Sequence, residues 1–352
     1  MKKQNKWNGQ MNRRRFIGIG AAATAYSFMP LFVRGKAYRL GMQKPDSTFG
    51  GVKIGAITYS YRSLPGRNAE DTLDYLVQSG LSSCELMSGP IEKSAGAPTV
   101  NIREIIAELM PDDPAGDQDS TQPRPRFQMT PEMREAINKK REEIITWRKT
   151  ISSMDKFKEI REMYNNAGVE INIVKFDNIG GEKVSAEELE YMFNVAKTMG
   201  AKGITTELNE AKAKKLGTLA DKHKIAIGFH NHMQLKPTTY SEGPYFSYGQ
   251  HIMANLDIGH FAAGNGKSAL SLVDELGNQG RLLSIHVKDR TFTKKTVPFG
   301  EGDAQVAEIL QLIKKKKWDV FCDIELEYPI PEGSDAIIEV RKCVEFCKKA
   351  LA

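Results

Sequence analysis

The chain has 352 residues, 40% of them hydrophobic and 27% charged, with a formal charge of +6 and four cysteines. Those cysteines, Cys84, Cys322, Cys343 and Cys347, are too few and too scattered to form a disulfide framework in a chain of this length. The positive charge is not spread over the chain: residues 1–37 hold eight Lys/Arg and no Asp/Glu. The remainder is left at a formal −2, without the concentrated basic surface that a nucleic-acid partner requires.

The first element in chain order is a leader. Arg13-Arg14-Arg15-Phe16-Ile17 precedes an uncharged run from Gly18 to Val33. An arginine pair, one variable residue, a large apolar residue and then a Gly/Ala-rich stretch resemble a twin-arginine export signal, and Gly35-Lys36-Ala37 offers a small-x-small cleavage site. Phe16 to Val33 also reaches the lower end of membrane-spanning length, but its small residues, Ser27 and Pro30 weaken it as an anchor. No cysteine lies nearby to carry a lipid. The expectation is a periplasmic protein that has lost residues 1–37 and is not an integral membrane protein.

Beyond residue 50, short β-branched apolar runs alternate with amphipathic segments, the pattern of parallel βα units. Strands are predicted over Val52 to Tyr59, Ser83 to Met87, Val169 to Phe176, Gly203 to Glu207, Lys224 to His232, Ile252 to His260, Leu282 to Lys288 and Val320 to Glu327. Helices are predicted at Asn68 to Ser79, Ala186 to Met199, Glu210 to His223, Ser268 to Leu276, Ala304 to Lys315 and Asp335 to Ala350. Asn68, Ser185, Asp303 and Ser334 are expected to cap helix starts, and Gly80 and Gly200 to stop helices. Eight strands, each followed by a helix, make an α/β protein of the (β/α)₈ TIM-barrel class over residues 50–352. No Gly-rich dinucleotide turn follows the first strand, which disfavours an open doubly wound sheet. A helical insertion over about residues 91–165 interrupts the rhythm after the second strand. Its centre, Asp112 to Arg126, reads as an exposed loop, and Thr130-Pro131-Glu132 restarts a helix. Because it leaves the carboxyl end of a strand, the insertion is expected to be a lid, a subunit contact in a homo-oligomer, or a tolerated surface addition.

Polar residues collect at the strand ends, where a packed barrel interior should be apolar and where barrel enzymes place their chemistry. They are Glu85, Glu207, His230, His232, Asp257, His260, His286, Lys288, Asp289, Asp323, Glu325 and Glu327. Four of the six histidines are in this set; His223 and His251 read as surface or helix-end residues. Strand alternation puts His230 and His232 on one face, and likewise His286 with Lys288, and Asp323 with Glu325 and Glu327. Unpaired buried charges are costly, so successive strands ending in His, Asp, His and Glu point to a shared ligand. Mixed imidazole and carboxylate donors suit one divalent ion such as Mn²⁺, Co²⁺ or Zn²⁺. Cys343 and Cys347, one helical turn apart, carry no assigned chemistry.

Several motifs between Ile204 and Tyr328 recur together: Ile-Thr-Thr-Glu-Leu, His-Asn-His, Asn-Leu-Asp-Ile-Gly-His, Ser-Ile-His-Val-Lys-Asp-Arg, Val-Pro-Phe-Gly-Glu-Gly-Asp and Ile-Glu-Leu-Glu-Tyr. In these the chain resembles the xylose isomerase-like TIM-barrel superfamily, and within it the sugar phosphate isomerase/epimerase proteins. The resemblance implies a metal held from the fifth to eighth strands, and by position it supplies Asp257, His286 and Glu325. The fifth strand departs from the pattern: where many members have a glutamate, this chain has Gly228 followed by His230 and His232, so the remaining ligand is either His232 or Glu207.

Such a metal supports removal of a proton beside a carbonyl. The resemblance then implies isomerisation, epimerisation or, as in some relatives that act on 3-oxo-glycosides, β-elimination of an aglycone. Export favours an unphosphorylated sugar or glycoside, and so the elimination; a sugar isomerase or epimerase is the alternative. In this reading His230, His260 or Glu207 takes the proton and Lys288 neutralises the developing oxyanion, while Glu85, Asp289 and Glu327 hold the sugar. Abasic-DNA cleavage, known for endonuclease IV in the same superfamily, is disfavoured by the charge, and a non-catalytic sugar-binding barrel is disfavoured by the density of polar strand ends.

Overall fold

The computed structural model describes residues 44–98 and 130–352, so the leader and the Asp112 to Arg126 stretch lie outside the described residues. The chain divides into two units, Met1–Lys44 and Pro45–Ala352, and the second is the barrel. Its strands are β1 (Val52–Ile57), β2 (Ser83–Met87), β3 (Glu170–Lys175), β4 (Gly203–Glu207), β5 (Ala226–His230), β6 (Ile252–Asp257), β7 (Leu282–Val287) and β8 (Phe321–Ile324). Each pairs in parallel with the next, and β8 pairs with β1 from Lys53↔Phe321 to Ala56↔Ile324, which closes the cylinder. The expected (β/α)₈ barrel is therefore the fold. A two-residue strand, Thr48–Phe49, folds back antiparallel onto the start of β1.

The helices are α1 (Ala69–Gln78), α2 (Ser88–Ser94), α3 (Pro131–Thr150), α4 (Asp155–Ala167), α5 (Ala186–Met199), α6 (Glu210–His223), α7 (Ile258–Asn265), α8 (Leu270–Asn278), α9 (Val306–Lys316) and α10 (Ala336–Ala350). Asn68 and Ser185 cap α1 and α5 through full capping boxes with Asp71 and Glu188. Two other caps fall one or two residues from expectation. Asp335 caps α10, while Ser334 turns its hydroxyl to Glu339; Gln305 precedes α9, while Asp303 accepts the Phe292 amide.

Six strands end sooner than the apolar runs suggest, and three of these bear on the site. β6 stops at Asp257 because the Asp257 side chain accepts the His260 amide at 2.6 Å, capping α7 immediately, so His260 lies on a helix. His232 lies beyond β5, and Glu325 and Glu327 lie beyond β8. The βα rhythm also lapses after β5: residues 231–251 carry only a helical turn, Thr239–Glu242, and a 3₁₀ turn, Tyr245–Tyr248. The second of these packs against α6, where the carbonyl oxygen of Tyr248 occupies the place a Cβ at Gly217 would need. Tyr240 stacks on Phe246 and meets Tyr245 edge-on, filling the gap in the outer ring.

The restart of the insertion is as expected, with Thr130 capping α3 and Pro131 at its first position. Near the other end of α3, Arg148 is buried. It donates to both oxygens of Glu92 on α2, at 2.8 and 3.1 Å, and lies 3.5 Å from Glu188 on α5. Tyr191 on α5 donates to the same Glu92. Among the described residues, no helix is long and apolar enough to cross a membrane.

Candidate metal and active site

Alternation along β8 and its continuation carries the barrel interior through three levels. Phe321 sits in an apolar floor with Ile173, Ala226 and Leu283; Asp323 lies at a middle level; Glu325 stands at the mouth. The middle level is polar and closed to solvent: Glu85, Thr205, Asn255, Ser284 and Asp323 are all fully buried. The mouth holds the ligating groups. His230, Asp257, His286 and Glu325 are all buried, and they bring one donor atom each within 4.8 Å of one another.

The surroundings prepare these groups for a cation. Asp257 Oδ2 is buried and paired with Lys288 Nζ at 2.8 Å. Lys288 also lies 2.9 Å from Glu325 and 2.8 Å from Glu327, so one ammonium bridges three carboxylates and its pKa is raised despite burial. Burial raises the pKa of Asp257, against the pull of Lys288. Burial also acts on Glu325, but Lys288 and His286 outweigh it and hold the carboxylate well below its ordinary range. His230 is kept neutral by burial and by the neighbouring His286. A neutral imidazole, a second imidazole and two carboxylates form a donor set that fits a borderline divalent ion.

The structure separates the histidines differently from the sequence reading. His230, read as a proton carrier, joins Asp257, His286 and Glu325. His232 and Glu207, read as alternative ligands for that set, instead form a second, more exposed group with His230. His232 Nε2 stands 3.6 Å from Glu207 Oε2, and Glu207 Oε1 takes Lys175 Nζ at 3.1 Å. His260 turns Nδ1 to Arg290 at 2.9 Å and Nε2 towards Glu327 and Asp257; burial, then Lys288, pushes its pKa down to about 3.

Two residues read as sugar contacts lie elsewhere. Glu85 is fully buried at the middle level, its oxygens taken by Thr205, Asn255 and His286, so it has no face towards a substrate. Asp289 accepts the amides of Gly300, Gly302 and Ala304 and thereby shapes the loop after β7. Glu327, a quarter exposed beside Lys288, remains at the mouth. The sequence reading passed over Lys175, Thr205, Asn255 and Ser284. Asn255 carried a usable signal, since it lies two residues before Asp257 on the same strand and shares its face.

Asp323 has neither oxygen hydrogen-bonded, and only the missing Cβ of Gly55 leaves room for its carboxyl. Burial, then Glu85, raises its pKa to about 8. Between about pH 4, where an unfolded aspartate titrates, and pH 8, the folded state holds a proton the unfolded chain has lost. Stability therefore falls as pH rises through that window. Asp323→Asn removes this titration without changing shape. Calorimetry on the metal-free protein should show a higher Tm than wild type at pH 8, and the difference should shrink towards pH 5; a constant difference would contradict it.

No protein-family model matches the chain, and no curated protein matches it. Solved structures do. A sugar phosphate isomerase/epimerase from Parabacteroides distasonis is 16% identical over 84% of this chain and 95% of that one, with a TM-score of 0.51. The IOLI protein, solved with a zinc atom bound, is 12% identical over 85% and 98%, at 0.53. A 3-keto-D-glucoside 4-epimerase from E. coli is 11% identical over 85% and 99%, at 0.51. At these identities the likeness is one of fold: the chain shares the barrel of these three proteins.

Proposed function

We propose that the protein is a divalent-metal-dependent sugar enzyme that removes a proton beside a carbonyl, and that it expels the aglycone from 3-keto-glycosides. The observation that carries the reading is the buried group of His230, Asp257, His286 and Glu325, flanked by Lys288. A divalent ion held by those four residues would polarise the C3 carbonyl and lower the acidity barrier at C2.

The chain's own residues supply the rest. His232, oriented by Glu207, stands at the mouth on the β4–β5 side as the base for the C2 proton. As the C2–H bond breaks, its electrons form the C1=C2 double bond and the C1–O bond to the aglycone breaks. The departing oxygen takes back the proton held by His232. Lys288 holds Glu325, Glu327 and Asp257 in place and offsets the negative charge gathered at the mouth.

Two features support a neutral glycoside over a sugar phosphate. The basic side chains at the mouth are already engaged: Lys175 with Glu207 and Asp177, Lys212 with the Asp177 carbonyl, Lys288 with three carboxylates, and Arg290 with His260 and the Lys294 carbonyl. In addition, Tyr59, Met233 and Phe292 are exposed on the loops after β1, β5 and β7. Single exposed apolar side chains are ordinary, but three around one opening suit an apolar aglycone. The arginine-pair leader favours the same substrates, because export would remove the enzyme from cytosolic sugar phosphates.

The test is incubation of the metal-loaded protein with an aryl 3-keto-glucoside in D₂O. Release of the phenol with formation of the C1=C2 enone is the expected result. Deuterium uptake without release would assign an epimerase, and neither outcome would reject both readings.

A further inference from the structure

We propose that Ser60, in the loop after β1, is a positioning residue of the metal site: its hydroxyl fixes the backbone on both sides of Glu325 and so aims that carboxylate. This inference rests on the metal reading above and concerns how the β8 side of the site is held.

β8 ends at Ile324, and its ladder with β1 ends at the same level, at Ala56↔Ile324. Beyond Ile57 the chain leaves the sheet as a 3₁₀ turn, Thr58–Tyr61, so no strand lies beside residues 325–327 on that side. Buried backbone groups there still need partners. The buried Ser60 side chain supplies two of the bonds: its hydroxyl donates to the Ile324 carbonyl at 3.0 Å and accepts the Leu326 amide at 3.0 Å. On the opposite side the Glu325 amide donates to the Val287 carbonyl of β7 at 3.1 Å.

These three bonds fall on the two peptide units that flank the Glu325 Cα, one on each side. Each unit is planar, so holding both fixes the direction of the Cα–Cβ bond, and a ligating group must be held within about 0.5 Å of its productive place. Among short side chains a hydroxyl is the group that donates and accepts strongly at one atom. Arg62 continues the clamp. Its Nη1 donates to the Leu326 carbonyl at 2.6 Å and to the Tyr59 carbonyl at 3.3 Å, with the guanidinium 4.6 Å over the Tyr59 ring. The Leu326 carbonyl belongs to the peptide unit before Glu327. One loop therefore holds both carboxylates of this segment, Glu325 through Ser60 and Glu327 through Arg62.

The test compares zinc affinity, by calorimetric titration of the apo-protein, with the visible spectrum of the cobalt-loaded protein and with urea unfolding. Ser60→Ala should weaken zinc binding about tenfold or more, within the range for loss of an outer partner, and should change the intensity of the cobalt bands. Tyr61→Phe is the control for stability alone. It lies in the same turn and is buried, and its hydroxyl donates to Ser79 at 2.9 Å, away from Glu325. It should lower the urea midpoint and keep the wild-type zinc affinity and cobalt spectrum. Wild-type affinity and spectrum in Ser60→Ala would overturn the proposal, and so would an equal loss of zinc affinity in Tyr61→Phe, which would mark a general loosening of the loop. If Ser60→Ala does not fold, Ser60→Cys decides it: the thiol is a weak donor and a weak acceptor, so zinc binding should still fall, and unchanged binding would overturn the proposal. Failure of the wild-type protein to bind zinc, manganese or cobalt would reject the metal reading and this inference with it, an outcome distinct from equal affinities across the variants.

Discussion

Glu325→Gln should leave a folded barrel that has lost its metal and nearly all its activity. The substitution keeps the shape of the side chain and removes one of the two carboxylates in the ligand group. Glu325 lies in the coil after β8, and its side chain caps no helix; its backbone amide bonds to Val287 and is unaffected. Lys288 keeps Asp257 and Glu327, so no buried cation is stranded. What disappears is one negative charge, beside His286 and facing the ion. Polarisation of a carbonyl by a bound ion supplies several kcal/mol, so kcat/KM should fall by about a thousandfold or more. Metal content by elemental analysis and aglycone release measured side by side would check it. Full metal occupancy with unchanged turnover would remove Glu325 from the site.

Arg148→Ala should cause the largest loss of stability among single changes outside the barrel interior. The Arg148, Glu92 and Glu188 side chains are 7%, 6% and 5% exposed. Truncating the arginine strands two carboxylates in a region closed to water, and breaking a buried pair from one side costs about 3–5 kcal/mol. The desolvation already paid by the cluster means that replacing all three members together is another matter. Arg148→Met with Glu92→Leu and Glu188→Gln, which keeps an acceptor for the Ser185 amide, should recover most of the loss, as uncharged substitutes for buried ion pairs do. Urea titration of the wild type, the single variant and the triple variant, the last with Tyr191→Phe to remove the hydroxyl that Glu92 accepts, would separate these outcomes. A single variant within 1 kcal/mol of wild type would mean that the cluster is solvated in solution.

The barrel was legible because its strands are covered on both faces and read as continuous apolar runs, with capping residues marking the helices between them. The missing helix after β5 was not legible. Residues 231–251 are rich in tyrosine but lack a periodic pattern, and it is the tertiary contact at Gly217 that lets two short turns stand in for a helix. At the site, Asp257, His286 and Glu325 could be placed by counting strands. The choice between His230 and His232 could not, because it depends on where β5 ends: His230 is its last residue, still inside the cylinder, and His232 is already in the loop. Glu85 shows the same limit from the other side. A glutamate near a strand end reads as a substrate contact until its depth is known, and depth is set by the stagger between strands. Here β2 pairs with β3 through a register shift at Cys84/Glu85, which sequence alone does not announce.

Asp257 spends one oxygen on starting α7 and turns the other to Lys288 at the mouth of the barrel. The residue is therefore shared between scaffold and site, and any attempt to retune the chemistry by altering it also unpicks the first turn of a wall helix. Redesign of this site has more freedom at Glu327, which projects from the segment after β8 with no such second duty, and the mouth of the barrel can be altered there without disturbing how it is built.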